Sequence, residues 1–303
     1  KYIVGIDTQS SIHKQDNVLH TDRVSLDFTD SDKPTVLDTS NDPYPIIAVF
    51  DKFFPEFAVK EIKPSWTEQR EKHMHQNGNY RDGRRQTVPT GILIFHDMDK
   101  DFGRLIRRHP QFGRAIMTGM DTLRVKVGDY EVEIVTLLFN RNAPQFEFFV
   151  RKDGYIMRLK GRDTYGYRKS TLEETYESLF DQPIGSFAGG LSREFYEDLT
   201  LEEREFLHAL AGGNARAKRE IYIATIELLR EISPYAVTRG GLIPASAASA
   251  AARIWQSMAD PNVEEWYRPE DHIMQMGASA GHAGLMIDEL HGYQENVSKC
   301  DIK

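Results

Sequence analysis

The sequence predicts an α+β fold, a mixed and mostly antiparallel sheet followed by a helical region. Three observations carry that expectation. Between Thr87 and about residue 170, apolar residues recur in short runs with strand-like alternation, separated by the turn-forming stretches "VGD", "NRNAP" and "KDG". After about residue 170 the spacing becomes that of amphipathic helices. The 303 residues are 40% hydrophobic and 28% charged, enough apolar material for a sizeable core. No run approaches the roughly 18 apolar residues of a membrane span.

Taken in order, residues 1 to about 68 are rich in Asp, Ser, Thr and Pro, broken by two short β-like runs, "YIVGI" and "YPIIAVFDKFF". The opening "IVGIDTQSS" resembles the first strand of an actin-type or ribonuclease H-type fold, where an Asp follows an apolar run. No phosphate loops or carboxylates follow at matching places, and that likeness is set aside. Residues 68–86, "EQREKHMHQNGNYRDGRRQ", are polar and without periodicity, so they read as an exposed linker. His73 and His75 lack a third ligand nearby and read as solvated side chains. Residues 1–86 are therefore expected to be an N-terminal extension, and 87–303 the main domain.

In that domain "TGILIFHDM" reads as a strand. "DKDFGRLIRRHPQFGRAI" is amphipathic, with Phe102, Leu105 and Ile106 at helical spacing before Pro110. The runs "TLRVKV", "YEVEIVTLLFN", "QFEFFVRKDGYIMRLKG" and "TYGYR" read as sheet. Helices are expected over 171–181, 200–210, 214–233 and an Ala-rich 244–258. The opening "KYIVGIDTQS" lacks the apolar stretch and cleavage site of a signal peptide. One cysteine, Cys300, excludes an internal disulfide framework and a multi-thiolate metal centre, and reads as a free thiol, with an intermolecular disulfide as the alternative.

The net charge of −8 argues against nucleic acid until it is resolved along the chain. Residues 101–170 hold 14 Lys+Arg against 8 Asp+Glu, and residues 171–303 hold 11 against 22. The middle is basic and the second half acidic. Arg151, Lys152, Arg158, Lys160, Arg162 and Arg168 interleave with Tyr155, Tyr165 and Tyr167, a mixture that suits an RNA-facing surface.

In "KREIYIATIELLREISPY", residues 218–235, Glu227 and Arg230 stand three apart. On a helical wheel Glu220, Ala224, Glu227 and Glu231 share one face with Arg230 at its margin, and Ile221, Thr225, Leu228 and Ile232 define an apolar face. By itself that pattern is an ordinary amphipathic helix with a surface ion pair, contributing about 0.2–0.5 kcal/mol.

The order of "GYIMRLKGRDTYGY", "FAGG" (187–190), "ATIELLR" (224–230) and "DPNVEEWYRPEDHIMQM" resembles that of ribosome-inactivating proteins, the ricin A-chain and Shiga toxin A-chain family of rRNA N-glycosylases. The resemblance covers roughly residues 87 to 290. It implies an enzyme that removes an adenine from the sarcin–ricin loop of large-subunit rRNA and so acts as a toxin on the ribosome. It implies Glu227 and Arg230 as the catalytic pair, Tyr155 as an adenine-stacking residue and Trp266 beneath the site, with Trp255 in reserve. The family's second tyrosine usually lies two residues beyond the paired glycines, where this chain has Ser192. Tyr196 is the candidate replacement. The paired glycines also lie closer to Glu227 than is usual in the family. No lectin-like chain is present, so cell entry would need a delivery partner.

The implied chemistry suits these residue types. Breaking an N-glycosidic bond passes through an oxocarbenium-like state. Arg230 would polarise the departing base, and Glu227 would stabilise the ribosyl cation and activate water. No metal or cofactor is needed for it. Two other classes fit the same residues. One is a binding module for RNA or protein on a similar scaffold without turnover. The other is an RNA- or nucleotide-directed hydrolase using Glu227 with His208 or His272.

Overall fold

The computed structural model describes residues 2–13, 18–39, 44–62, 88–106, 109–112, 123–138, 144–184, 200–234, 236–237, 242–244 and 246–258. By compactness the chain divides into residues 1–256 and 257–303, and the described residues fall in the first apart from the last two of the final helix. The stretches 68–86 and 187–190, together with Ser192, Tyr196, Trp266, His272 and Cys300, lie outside them.

A nine-stranded sheet organises the fold. β1 (Tyr2–His13), β2 (Val18–Phe28) and β3 (Thr35–Asp38) form an antiparallel meander. Alternation sets its faces. Val4, Ile6, Val24 and Leu26 are fully buried in one core, and Gly5, Asp7 and Asp27 face the other way. α1 (Ile46–Phe57) lays Ile46, Val49, Phe50, Phe53 and Phe57 on the first face. "YPIIAVFDKFF", expected as a β-like run, is thus largely this helix, because its apolar residues recur three and four apart.

The short β4 (Val59–Lys60) pairs with β9 (Tyr155–Asp163). β5 (Thr90–Phe95) lies parallel to both β1 and β9. α2 (Met98–Leu105) follows β5, and β6 (Leu123–Val127), β7 (Tyr130–Leu138) and β8 (Gln145–Lys152) complete an antiparallel series ending on β9. The β8–β9 turn places Asp153 and Gly154 at φ 50° and 78°, the left-handed pair that a two-residue hairpin requires.

The order across the sheet is β3-β2-β1-β5-β9-β8-β7-β6. Residues 1–62 therefore supply strands within one sheet, and the expected boundary at 86/87 falls inside it. Hydrogen bonding of Tyr2–Gly5 to Gly91–Ile94 is the physical reason.

After β9 come α3 (Tyr165–Arg168), α4 (Leu172–Phe180), α5 (Leu201–Ile232) and α6 (Ala247–Met258). "TYGYR", read as sheet, is a single helical turn. The two helices expected over 200–210 and 214–233 are one helix, which runs through Gly212 and Gly213 without a break. Thr171 and Thr200 begin α4 and α5 with capping boxes to Glu174 and Glu203.

α5 covers the face of the sheet opposite α1. Tyr222, Ile226 and Leu229 meet Ile92 and Ile94 of β5, while Ala217 and Ile221 meet Leu172 of α4. Leu228 and Ile232, expected on the apolar face, are 43% and 68% exposed. The helix carries two buried stripes, one toward the sheet and one toward α4, so the single face drawn on the wheel is rotated from either.

Candidate functional site

β1 turns from apolar to polar halfway along its length. Val4 and Ile6 are core residues, and Asp7, Thr8, Gln9 and Ser10 follow. Asp7 faces α5 because it shares the alternation of Gly5. At Gly5 the helix lies so close that an added Cβ would sit 1.7 Å from the carbonyl oxygen of Ala215. Glycine is what admits the helix there. One turn beyond Ala215, Lys218 reaches down to the strand.

The Lys218 ammonium donates to Asp7 Oδ1 at 2.5 Å, to Asp101 Oδ2 at 2.6 Å and to the Ile6 carbonyl oxygen at 3.1 Å. Its three protons are thus all engaged, in a side chain 4% exposed. Asp101 comes from α2, and its other oxygen accepts from the Thr8 hydroxyl at 2.7 Å. Arg104 lies 3.9 Å from that oxygen and donates to the Thr8 carbonyl at 3.1 Å. Two carboxylates and two cations therefore balance within one cluster.

Burial alone would push the Lys218 ammonium toward neutrality, but the Asp101 and Asp7 carboxylates outweigh it and hold it charged, above the usual lysine range. Burial and the neighbouring Asp101 charge raise Asp7, partly offset by Lys218 and by a hydrogen bond from Asn214.

This cluster forms the floor of a cavity of about 630 Å³ beside the middle of β1 and beyond the carboxyl ends of β5 and β9. Open α/β sheets bind ligands beyond the carboxyl ends of their parallel strands, and β5 and β9 are parallel here. Lys100 and Lys169 line its mouth, both exposed and without a partner among the described residues. Tyr165, 36% exposed, and Leu172, Leu207 and Leu210 add an aromatic and apolar wall.

The wall is fixed from behind. Asp163, at the end of β9, accepts from the backbone N–H groups of Asp97, Met98 and Tyr165 at 2.9–3.1 Å. It thereby serves the open amino end of α2 and holds Asp97 in a left-handed conformation, φ 73°. Burial raises its pKa and those hydrogen bonds oppose the rise. His96 bridges Thr164 Oγ1 at 2.9 Å and the Ser170 carbonyl at 2.8 Å. A carbonyl only accepts, so Nε2 carries a proton, and burial lowers the pKa so that the ring stays neutral.

The residues singled out in the sequence lie elsewhere. Glu227 and Arg230 are exposed on α5, and no ion pair joins them among the described residues. Tyr155 is 46% exposed at the start of β9 and shares the alternation of Met157 and Leu159, which belong to the α1 side of the sheet. α5 lies on the opposite side, so the structure does not bring Tyr155 together with Glu227 and Arg230, and none of the three lines the cavity. Trp255 lies in α6 and His208 in α5. Tyr196, Ser192 and Trp266 fall outside the described residues.

The interleaved basic residues are largely neutralised within the sheet. Arg151 pairs with Glu61 and Glu133 at 2.8 and 2.7 Å, Lys152 lies 3.6 Å from Asp129, and Arg158 and Lys160 share Glu147.

Sequence reasoning passed over Asp7, Asp101, Lys100, Lys169 and Lys218. The signal for Asp7 was present in "IVGID". Its partner carboxylate is in "HDMDKDF", 94 residues away. Lys218 sits in the charged run "ARAKRE", which reads as solvated helix. Comparison with protein families, with curated proteins and with solved structures finds no match for this chain.

Proposed function

We propose that this chain is a nucleic-acid-binding module that takes single-stranded RNA or DNA in the cavity above Lys218 and does not hydrolyse it. The observation that carries this reading is the Lys218 ammonium set between Asp7 and Asp101. Paired carboxylates, here one from β1 and one from α2, are the usual holders of divalent ions for phosphoryl transfer. Here both are neutralised by a side chain that cannot generate a nucleophilic hydroxide.

The strand order β3-β2-β1-β5-β9, antiparallel for two pairs and then parallel for two, supports a ribonuclease H-type sheet. This agrees with the likeness of the opening strand. What supports a polyanion with bases is the unpaired charge of Lys100 and Lys169 and the exposed ring of Tyr165, which share the rim with the carboxylates Asp97, Glu173 and Glu174.

The test is the double variant Lys100→Glu with Lys169→Glu. Both side chains are exposed, so folding is untouched, and affinity for a single-stranded oligonucleotide falls by about tenfold or more at low salt. Equal affinity in wild type and variant removes the cavity from the function.

A second reading is the rRNA N-glycosylase. It is supported by the order of the four sequence motifs and by the exposure of Glu227 and Arg230 on one helix, while Tyr155 lies on the opposite side of the sheet and does not join them. It predicts free adenine from intact ribosomes, abolished by Glu227→Ala and indifferent to the Lys100 and Lys169 changes. Adenine release that Glu227→Ala leaves unchanged would remove that residue from the reaction.

A further inference from the structure

We infer that the oxygens gathered around Lys218 form a cation site that the lysine itself occupies, and that Mg²⁺ or Mn²⁺ binds there once the ammonium is removed. The inference stands whether or not the cavity takes nucleic acid.

Three oxygens, two from neighbouring residues of β1 and one from α2, converge on one point: Asp7 Oδ1 at 2.5 Å, Asp101 Oδ2 at 2.6 Å and the Ile6 carbonyl at 3.1 Å. All are hard donors, the kind that magnesium and manganese prefer. The carboxylates are already oriented from behind. The Thr8 hydroxyl donates to the free oxygen of Asp101, and Asn214 donates to Asp7. Such supporting bonds are a regular feature of metal sites. The adjoining cavity gives water access to the point of convergence, so solvent can complete the coordination shell.

Among the described residues no group of three or more His, Cys, Asp or Glu is placed to hold a metal. The site is made by two carboxylates and a carbonyl, and it becomes visible only when the lysine is read as its occupant. With Lys218 in place the ammonium lies where an ion would sit, and its charge repels a second cation. The chain thus carries its own cation, and the cavity floor is assembled at any divalent-ion concentration.

The test uses the full chain with Lys218→Ala, which opens the space and leaves both carboxylates, and Lys218→Met, which fills it with an apolar side chain. Thermal unfolding is followed in EDTA and in about 5 mM MnCl₂ or MgCl₂. The expected result is a saturable rise of about 5 °C or more for Lys218→Ala in Mn²⁺, with wild type and Lys218→Met unmoved. Adding Asp101→Asn to Lys218→Ala should abolish the rise. If Lys218→Ala folds only when refolded with the metal, that dependence gives the same answer. A Lys218→Ala protein indifferent to both ions overturns the inference, as does one that fails to fold with or without Mn²⁺ while Lys218→Met folds.

Discussion

Lys218 shows how one side chain can decide what a site does. A buried ammonium costs several kcal/mol to desolvate and persists only if its partners are well placed. Here it has Asp7, Asp101 and a carbonyl, all within 3.1 Å. None of this was legible in "ARAKRE", because a lysine among charged neighbours carries no mark of the strand it will meet. Asp7 was half legible: an acid after an apolar run is conspicuous, but its meaning depends on Asp101, which only the fold brings near. Glu227 and Arg230 were conspicuous for the opposite reason, being close in sequence and exposed in space. His96 gives a prediction at this scale. Its folded pKa lies below the ordinary 6.5, so under acid conditions the unfolded chain binds a proton that the folded chain refuses. Its contribution is complete above pH 6.5 and is lost as pH falls through the folded value. Urea midpoints measured from pH 7.5 to 5 should decline in wild type and decline less in His96→Gln. Parallel curves would mean that His96 is not the group responsible.

Elements were more legible than residues wherever period and punctuation agreed. The hairpin around "KDG" and the strands from 123 to 163 follow from alternation and turn chemistry, and α4 from its helical spacing. α1 was misread because a short apolar run does not declare its period, and α5 was cut in two because paired glycines normally weaken a helix. Its continuity is maintained by packing on both sides: Ala215 against Gly5, Gly212 against Pro34, and Arg219 on Asp27 at 2.6 Å. The two kinds of glycine should therefore respond oppositely to alanine. Gly213 has open space around it, and Gly213→Ala should stabilise by roughly 0.5–1 kcal/mol in chemical denaturation. Gly5→Ala forces a methyl into the Ala215 carbonyl and should cost about 3 kcal/mol or more. A neutral Gly5→Ala would show that α5 does not lie as close to β1 as described.

At the scale of the molecule, the α+β class and the mixed, mostly antiparallel sheet were legible from composition and periodicity, but the topology was not. Strand order is a long-range property: β1 meets β5 across almost ninety residues, and nothing in either run names the other. The basic middle of the chain was read as an RNA surface, yet Arg151, Arg158 and Lys160 are absorbed by Glu61, Glu133 and Glu147 across the sheet. The cavity mouth adds two cations unpaired among the described residues, Lys100 and Lys169. With two such cations there, binding to a single strand should weaken with salt with a logarithmic slope of about −1.4, far shallower than for an extended basic groove. The most direct measurement is anisotropy of an end-labelled single-stranded oligonucleotide titrated with the wild-type chain in Mg²⁺ and in EDTA, with the oligonucleotide's length checked afterwards. The account predicts equal binding in both, that shallow slope, and an oligonucleotide recovered at full length. No binding in either condition, or shortening that depends on Mg²⁺, would contradict it.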